Sequence, residues 1–332
     1  MRRNNTIQSK SKVGGVKGSQ LSTFNRQLPT LSALNPRRTA GKKAWGLICG
    51  VLAAVCYGTN PLGALKLYAE GMQTGSVLFY RFGLAWIIIA AVMLVRMKKH
   101  TESLSVTRKE FGQLTALGLL FTVSSLTLYL SFHLMDAGVA STILFTYPVM
   151  TAVIMALFFH ERMGWVTWGS IALSFAGVAL LYSGDGTATL PLLGVVLVLL
   201  SALSYAVYII VVNRSKLRMS SFKINFYVLL YCALGMVLYA YLSGETITLP
   251  HGFTSWFYVS WLAIVPAIMA LVLLVYAARY AGSTTTAILG ALEPLTAVLI
   301  GIFVFGESFT ATLAVGIALI LASVTLVVLA KK

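Results

Sequence analysis

The chain has 332 residues, of which 58% are hydrophobic and 10% charged, and its formal net charge is +16. A soluble domain carries roughly 25% charged residues, so this composition excludes a water-soluble globular protein. Ten of the 25 Lys and Arg lie in residues 1–43, and nearly all the others lie between apolar segments. This placement indicates membrane topology and argues against a nucleic-acid partner.

Residues 1–43 form a basic leader with no acidic residue and no long apolar stretch. A secretory signal peptide needs an apolar core, so we expect a disordered cytoplasmic arm instead. An organellar transit peptide is the alternative, because such peptides are also basic, Ser-rich and poor in acidic residues.

Ten apolar segments follow the leader, each close to the ~20 residues that a helix needs to cross the hydrocarbon core. Turn residues mark the short segments between them. The pattern predicts an all-α polytopic membrane protein. Its ten transmembrane helices are predicted at 44–65, 74–97, 111–132, 138–159, 164–182, 190–212, 222–243, 254–278, 284–305 and 309–330.

The distribution of basic residues supports this count. With the N-terminus in the cytoplasm, 23 Lys and Arg fall on the inner side and Lys66 falls outside, while Arg81 lies within a helix. Loops rich in Lys and Arg stay in the cytoplasm. We therefore expect both termini to be cytoplasmic and the protein to lie in the cell (inner) membrane, with an organellar membrane as the alternative.

The two halves of the chain can be aligned with each other. Each half holds five helices, an odd number, so the second half enters the membrane from the opposite side. This predicts two inverted repeats, residues 44–182 and 190–330, an arrangement typical of secondary transporters with alternating access. The matched residues are Gly46, Ala54 and Tyr57 with Gly194, Ala202 and Tyr205 at an offset of 148, and Pro148 and Glu161 with Pro294 and Glu307 at an offset of 146.

Short motifs recur in both halves of the chain. They are Asp136 to Thr142, Tyr147-Pro148 and Glu161-Arg162 in the first half, and Tyr280 to Thr284, Leu292-Glu293-Pro294 and Gly306-Glu307-Ser308 in the second. These motifs resemble those of the EamA-type drug/metabolite transporter superfamily. The Arg81-Phe82 pair is similar to the family's first-half pattern, although helix 7 has no matching arginine. The resemblance implies a ten-helix fold with a central cavity, alternating access, export of amino acids or other metabolites, and no cofactor.

Arg81 and Glu293 are the two ionisable residues well inside the predicted helices. A charge in hydrocarbon costs at least ~2.5 kcal/mol, so such residues usually face a cavity or a partner. At a rise of about 1.5 Å per residue their depths differ by roughly 6–7 Å, a gap that two long side chains could close. We expect either an ion pair that joins two helices or a site where Glu293 binds a proton or a substrate ammonium.

The repeat also matches Tyr147 with Glu293, each directly before a proline in mid-helix. Pro148 and Pro294 each remove a backbone donor, and the carbonyls that they free are tolerable only beside protein or a water-filled cavity. We expect two kinks that line one site, or else bends that serve packing alone. Tyr57 and Tyr205 form a second matched pair that suits an amphipathic solute or interhelical packing.

The remaining function classes find little support in the sequence. The four His residues are not at ligand spacing, and no phosphate loop or nucleophile motif is present, so we expect neither an enzyme nor a metal or cofactor. A membrane-embedded enzyme or a receptor is the non-transport alternative. Within transport, the alternative to an exporter of amino acids or similar neutral or zwitterionic solutes is a carrier of phosphorylated or nucleotide-linked solutes, which need several cations. The expected partners are a small solute, the lipid bilayer, protons as coupling ion and a second copy of the chain.

Overall fold

The ten predicted helices form one unit. A computed structural model describes residues 36–99, 103–160, 164–183, 191–214 and 219–330, and residues 43–332 form a compact body. Over these ranges every regular element is a helix, and ten helices are long and apolar enough to cross a membrane. The all-α ten-helix fold is therefore confirmed. Residues 1–35 of the predicted leader lie outside the described ranges.

We number the ten helices α1 to α10 in the order of the predicted segments. Four of them consist of consecutive pieces with an interruption or a change of helix type between them. The helices are α1 (Pro36–Gly58 and Asn60–Ala69), α2 (Thr74–Lys98), α3 (Arg108–Ser131), α4 (Ala137–Leu144 and Tyr147–Phe159), α5 (Trp165–Ser183), α6 (Leu192–Arg214), α7 (Ser221–Ser243), α8 (Gly252–Ile264, a π-helical turn Val265–Met269 and Ala270–Ala281), α9 (Ser283–Leu289 and Leu292–Phe305) and α10 (Ala311–Ala330).

Proline accounts for the positions of these irregularities. Pro61, Pro148 and Pro294 each occupy one of the first positions after the interruption in α1, α4 and α9, and Pro266 lies within the π-helical turn of α8. Proline tolerates the first turn of a helix because its missing N–H is not needed there. Each proline therefore starts a new helical piece inside a membrane span.

The helices of the two halves pack in equivalent ways. Under the repeat α1 corresponds to α6, α2 to α7, α3 to α8 and α4 to α9. The contact of α3 with α6 thus corresponds to that of α8 with α1. In the same way, the contact of α7 with α3 corresponds to that of α2 with α8, and the contact of α4 with α6 to that of α9 with α1. Three further pairs, α2 with α7, α4 with α9 and α5 with α10, join corresponding helices of the two halves. This pattern is that of a duplicated five-helix unit, as the inverted repeat predicts. The exact repeat limits, 44–182 and 190–330, stay a prediction.

Helices α5 and α10 contact each other through small residues. A Cβ added to Gly177 would lie 2.7 Å from Cγ1 of Ile320, and one added to Gly316 would lie 2.7 Å from Cγ of Leu181. Other small residues on α5 and α10 recur at intervals of about four, a spacing that suits either scaffold packing or a contact between copies of the chain. Ala314 is partly buried, and the others are exposed, namely Gly169, Ala172, Ala176, Ala318 and Ala322. The homodimer stays a prediction.

Helices α4 and α9 are joined at the membrane face opposite residue 330, which we call the distal face. The Glu307 carboxylate accepts hydrogen bonds from the N–H groups of Ala137 (2.9 Å) and Gly138 (3.2 Å), the first residues of α4. A Cβ at Gly301 would overlap this carboxyl group, so the contact requires glycine there. Burial raises the pKa of Glu307 against the opposing effect of these hydrogen bonds. Its sequence mate, Glu161, lies outside the described residues.

Helices α1 and α9 approach closely beside their interruptions. A Cβ on Gly58 would lie 2.5 Å from Cβ of Thr296 and 2.6 Å from the carbonyl oxygen of Glu293. A backbone carbonyl and a β-branched side chain leave no room for a methyl group at these distances. Glycine is therefore required where the two interrupted helices cross.

Replacing Glu307 by Gln should lower the free energy of unfolding by about 1–2 kcal/mol. The amide has one acceptor oxygen, whereas the carboxylate uses two oxygens to accept from two backbone N–H groups. Gly301→Ala should act in the same direction by displacing that carboxylate. Thermal unfolding of the purified protein in detergent measures both. The control is Glu70→Gln, at an exposed carboxyl on the same face. Unchanged unfolding temperatures for both test variants would contradict this role.

Gly58→Ala should destabilise the protein by about 1–3 kcal/mol, since the added methyl group forces α1 and α9 apart. The matched control is Gly83→Ala in α2, where an added Cβ meets no atom within 4 Å. The same unfolding assay in detergent compares them. A Gly58→Ala variant as stable as Gly83→Ala would show that the crossing adapts without cost.

Candidate functional site

Three helix interruptions meet near the centre of the molecule. The interruption of α1 at Thr59 lies next to that of α9, because Gly58 approaches the backbone of Glu293. The interruption of α4 also contacts α9, since a Cβ on Gly290 would lie 3.8 Å from Cζ of Phe145. Of the residues predicted for the site, Tyr57, Tyr147 and Glu293 each lie within two residues of an interruption. They are therefore brought together by the crossing of α1, α4 and α9.

Tyr205, the fourth predicted residue, reaches the same place from the uninterrupted helix α6. Its ring meets that of Tyr147 edge to face, with centroids 4.8 Å apart, and stacks on Tyr208 at 5.9 Å. Phe121 of α3 closes the cluster, with its ring centroid 5.3 Å from that of Tyr208. The sequence pointed to Tyr147 and Tyr205 but not to Tyr208 or Phe121, because these two have no matched partner in the other repeat.

Glu293 stands beside this aromatic cluster. Tyr57, Tyr147 and Tyr205 all lie within electrostatic range of its carboxylate. All four side chains are only partly buried, and they come from four different helices. Among the residues that the structure describes, none donates a hydrogen bond to the Glu293 carboxylate or forms an ion pair with it. The arrangement therefore leaves an unpartnered carboxylate beside aromatic rings.

Arg81 occupies a separate position. Its guanidinium donates a hydrogen bond from Nη1 to the hydroxyl of Tyr129 at 2.6 Å, and it lies 5.3 Å and 5.4 Å from the ring centroids of Tyr129 and Phe82. The side chain is only 6% exposed, and its Nε is buried without a hydrogen-bond partner. A buried donor without an acceptor costs about 1–3 kcal/mol, and more when it is charged. Within the described ranges the Arg81–Glu293 ion pair that the sequence suggested does not form.

A chain of hydrogen bonds links Arg81 to the interruption of α1. The Tyr129 hydroxyl donates to Oδ1 of Asn60 at 3.4 Å, and Nδ2 of Asn60 donates to the carbonyl of Tyr57 at 2.8 Å. That carbonyl has no helical donor, because residue 61 is a proline. Asn60 therefore replaces the backbone donor that Pro61 removes. The Asn60-Pro61 pair within an apolar segment was the available sequence signal for this feature.

Tyr57 lies near both charges. Its hydroxyl is within electrostatic range of both Glu293 and Arg81. A buried cation and a partly buried carboxylate thus both lie near one aromatic residue without forming an ion pair with each other. Such a pair can bind a solute that carries opposite charges, and the rings can cover its apolar part. Across the described residues no group of three His, Cys, Asp or Glu could hold a metal ion.

Comparison with known proteins is consistent with this fold. An uncharacterised transporter of Archaeoglobus fulgidus is 27% identical over 268 residues, which cover 74% of this chain and 95% of that protein. The uncharacterised transporter YdfC of Bacillus subtilis is 28% identical over 125 residues, 37% of this chain and 41% of that protein. A crystal structure that is 18% identical aligns with a TM-score of 0.61 over 86% of this chain and 96% of that one, which shows a shared fold.

The two halves of the chain match the same family model separately. The model of the EamA-like transporter family covers residues 44–183 and again residues 192–329. The match therefore includes every element that contributes to the candidate site. The protein is an integral membrane transporter of small solutes that belongs to the EamA-like transporter family.

Proposed function

We propose that this transporter works by alternating access and exports amino acids or similar zwitterionic solutes across the cell membrane, with both termini in the cytoplasm. The observation that carries the proposal is the unpaired carboxylate of Glu293 beside Tyr57, Tyr147 and Tyr205. A partly buried carboxylate within a membrane span and without a protein partner is costly, and a substrate ammonium or a proton offsets that cost. Glu293 thus binds the ammonium group, or a coupling proton when the substrate is absent.

Alternating access is supported by the architecture. Inverted five-helix halves with interrupted helices at the contact between them are characteristic of secondary transporters. Here the interrupted helices α1, α4 and α9 cross at the candidate site, so a rearrangement of one half against the other changes the side from which the site is open. Membership of a transporter family favours this function over the enzyme and receptor alternatives.

The charges favour a zwitterion over a phosphorylated or nucleotide-linked solute. Of the charged residues that the structure describes, Arg81 alone is buried. A phosphate group carries more negative charge than one guanidinium can balance, and phosphate sites usually combine several cations. A solute with one positive and one negative group matches the charges of Glu293 and Arg81.

Glu293→Gln should reduce solute flux about tenfold or more and remove the dependence of the remaining flux on pH, since an amide neither ionises nor pairs with an ammonium. The assay is counterflow in proteoliposomes with the standard amino acids, sugar phosphates and nucleotide sugars, with and without a pH gradient. Glu70→Gln, at an exposed carboxyl, is the control. Flux of phosphorylated solutes alone, or an unchanged pH profile in Glu293→Gln, would contradict the proposal.

Alternating access predicts that the site can be reached from both sides of the membrane. A cysteine in place of Tyr208, in a variant with Cys49, Cys56 and Cys232 replaced by Ala, should react with a membrane-impermeant thiol reagent from either side. In the same background, a Glu70→Cys variant should react with the reagent from the distal face only. Labelling of position 208 from the same single side under every solute and pH condition would exclude the mechanism.

A further inference from the structure

We infer that Arg81 recognises the carboxylate of the solute, and that Tyr129 and Asn60 are positioning residues that keep the guanidinium apart from Glu293. This inference rests on the proposed function, because it names the second charged contact of the same site. It also assigns the solute class more narrowly, as molecules that carry an ammonium and a carboxylate close together.

The first step is the unused capacity of Arg81. A guanidinium presents five N–H donors in a planar fork suited to carboxylate. In this protein Nη1 is bound to Tyr129, Nε is buried without a partner, and no carboxylate forms an ion pair with the group among the described residues. A residue that only joined two helices would be expected to have its donors satisfied. Arg81 therefore has donors left for an anionic ligand.

The second step is the way Tyr129 fixes the guanidinium. Its hydroxyl accepts the bond from Arg81 and donates to Asn60, so both roles of the hydroxyl are in use. Tyr129 is completely buried, and Asn60 is fixed in turn by its bond to the Tyr57 carbonyl. Because the hydrogen-bond chain ends on the helix backbone, it gives Arg81 a defined direction.

The third step is the consequence of that direction for Glu293. The two charges both act on Tyr57 yet remain unpaired, and opposite charges inside a protein attract strongly. A direct ion pair would use up the ligand-binding capacity of both groups. By holding Arg81 in place, Tyr129 and Asn60 keep two binding groups available instead of one neutral pair.

The fourth step is the chemistry of the ligand. One guanidinium and one carboxylate, placed around Tyr57, match one carboxylate and one ammonium on the solute. In an α-amino acid these groups are separated by two bonds, roughly 3 Å from nitrogen to the nearer oxygen. The rings of Tyr147, Tyr205 and Tyr208 are placed to cover the solute's side chain. Amines without a carboxylate should lack the contact with Arg81.

The test measures binding to the full-length protein in detergent by calorimetry. The standard amino acids are titrated first, and the tightest binder is compared with its amide, which keeps only the ammonium, and with its N-acetyl derivative, which keeps only the carboxylate. Arg81→Gln should weaken binding of the amino acid and the N-acetyl derivative about ten- to a hundredfold and leave the amide within about threefold. Glu293→Gln should weaken binding of the amino acid and its amide and leave the N-acetyl derivative within about threefold.

Two further variants separate recognition from a structural effect. Tyr129→Phe keeps every charge but frees the guanidinium to pair with Glu293, so it should weaken binding of all three ligands, and adding Glu293→Gln to it should restore binding of the N-acetyl derivative. This variant decides the matter if Arg81→Gln does not fold. Arg279→Gln, at an exposed arginine outside the site, is the matched control and should bind all three ligands as the wild type does.

Each result has a defined meaning. Equal weakening of the amino acid and its amide in Arg81→Gln, or N-acetyl binding that Glu293→Gln does not restore in Tyr129→Phe, would show that Arg81 only supports the fold, while flux of amino acids by the wild type would leave the proposed function intact. If the wild-type protein neither binds nor moves any amino acid, the proposed function fails together with this inference. The opposite patterns in Arg81→Gln and Glu293→Gln would establish two separate charged contacts.

Discussion

The structure depends on one constraint of the lipid environment, that every backbone polar group inside the membrane needs a partner within the protein. Within the described ranges prolines interrupt α1, α4 and α9, and each interruption would expose carbonyls to hydrocarbon if it faced lipid. The three interruptions instead meet at the crossing of α1, α4 and α9. At α1 the side chain of Asn60 supplies the missing donor for Tyr57. The requirement to satisfy the backbone thus gathers the polar side chains at one place.

The same place concentrates charge without neutralising it. A direct contact between Arg81 and Glu293 would be the simplest way to stabilise two ions within the membrane, yet the guanidinium is bound to Tyr129 instead. Leaving both charges incompletely partnered costs stability, and proteins accept such costs mainly where a ligand completes the contacts. The hydrogen-bond chain through Tyr129 and Asn60 gives this arrangement a structural cause.

The two halves are alike in packing but differ in detail. The interruptions of α4 and α9 correspond under the repeat. The interruption of α1 has no counterpart in α6, and the π-helical turn of α8 has no counterpart in α3. Helices α1 and α8 are neighbours, and Trp261 of α8 donates a hydrogen bond to the hydroxyl of Thr59 at 3.3 Å. The irregular backbone that has no counterpart in the other half therefore lies in two neighbouring helices. A rearrangement of the halves need not be symmetric in a chain with this asymmetry.

The sequence alone determined the ten helices, their duplicated order and the residues that lie deep in the membrane, because helix length and apolar composition are set locally by the bilayer. Its repeat also selected Tyr57, Tyr147, Tyr205 and Glu293, which the fold brings together. Only the tertiary structure decided which side chains contact each other. It placed Arg81 on Tyr129 rather than on Glu293, since depth in the membrane limits which residues can meet but does not fix the rotation of the helices that carry them.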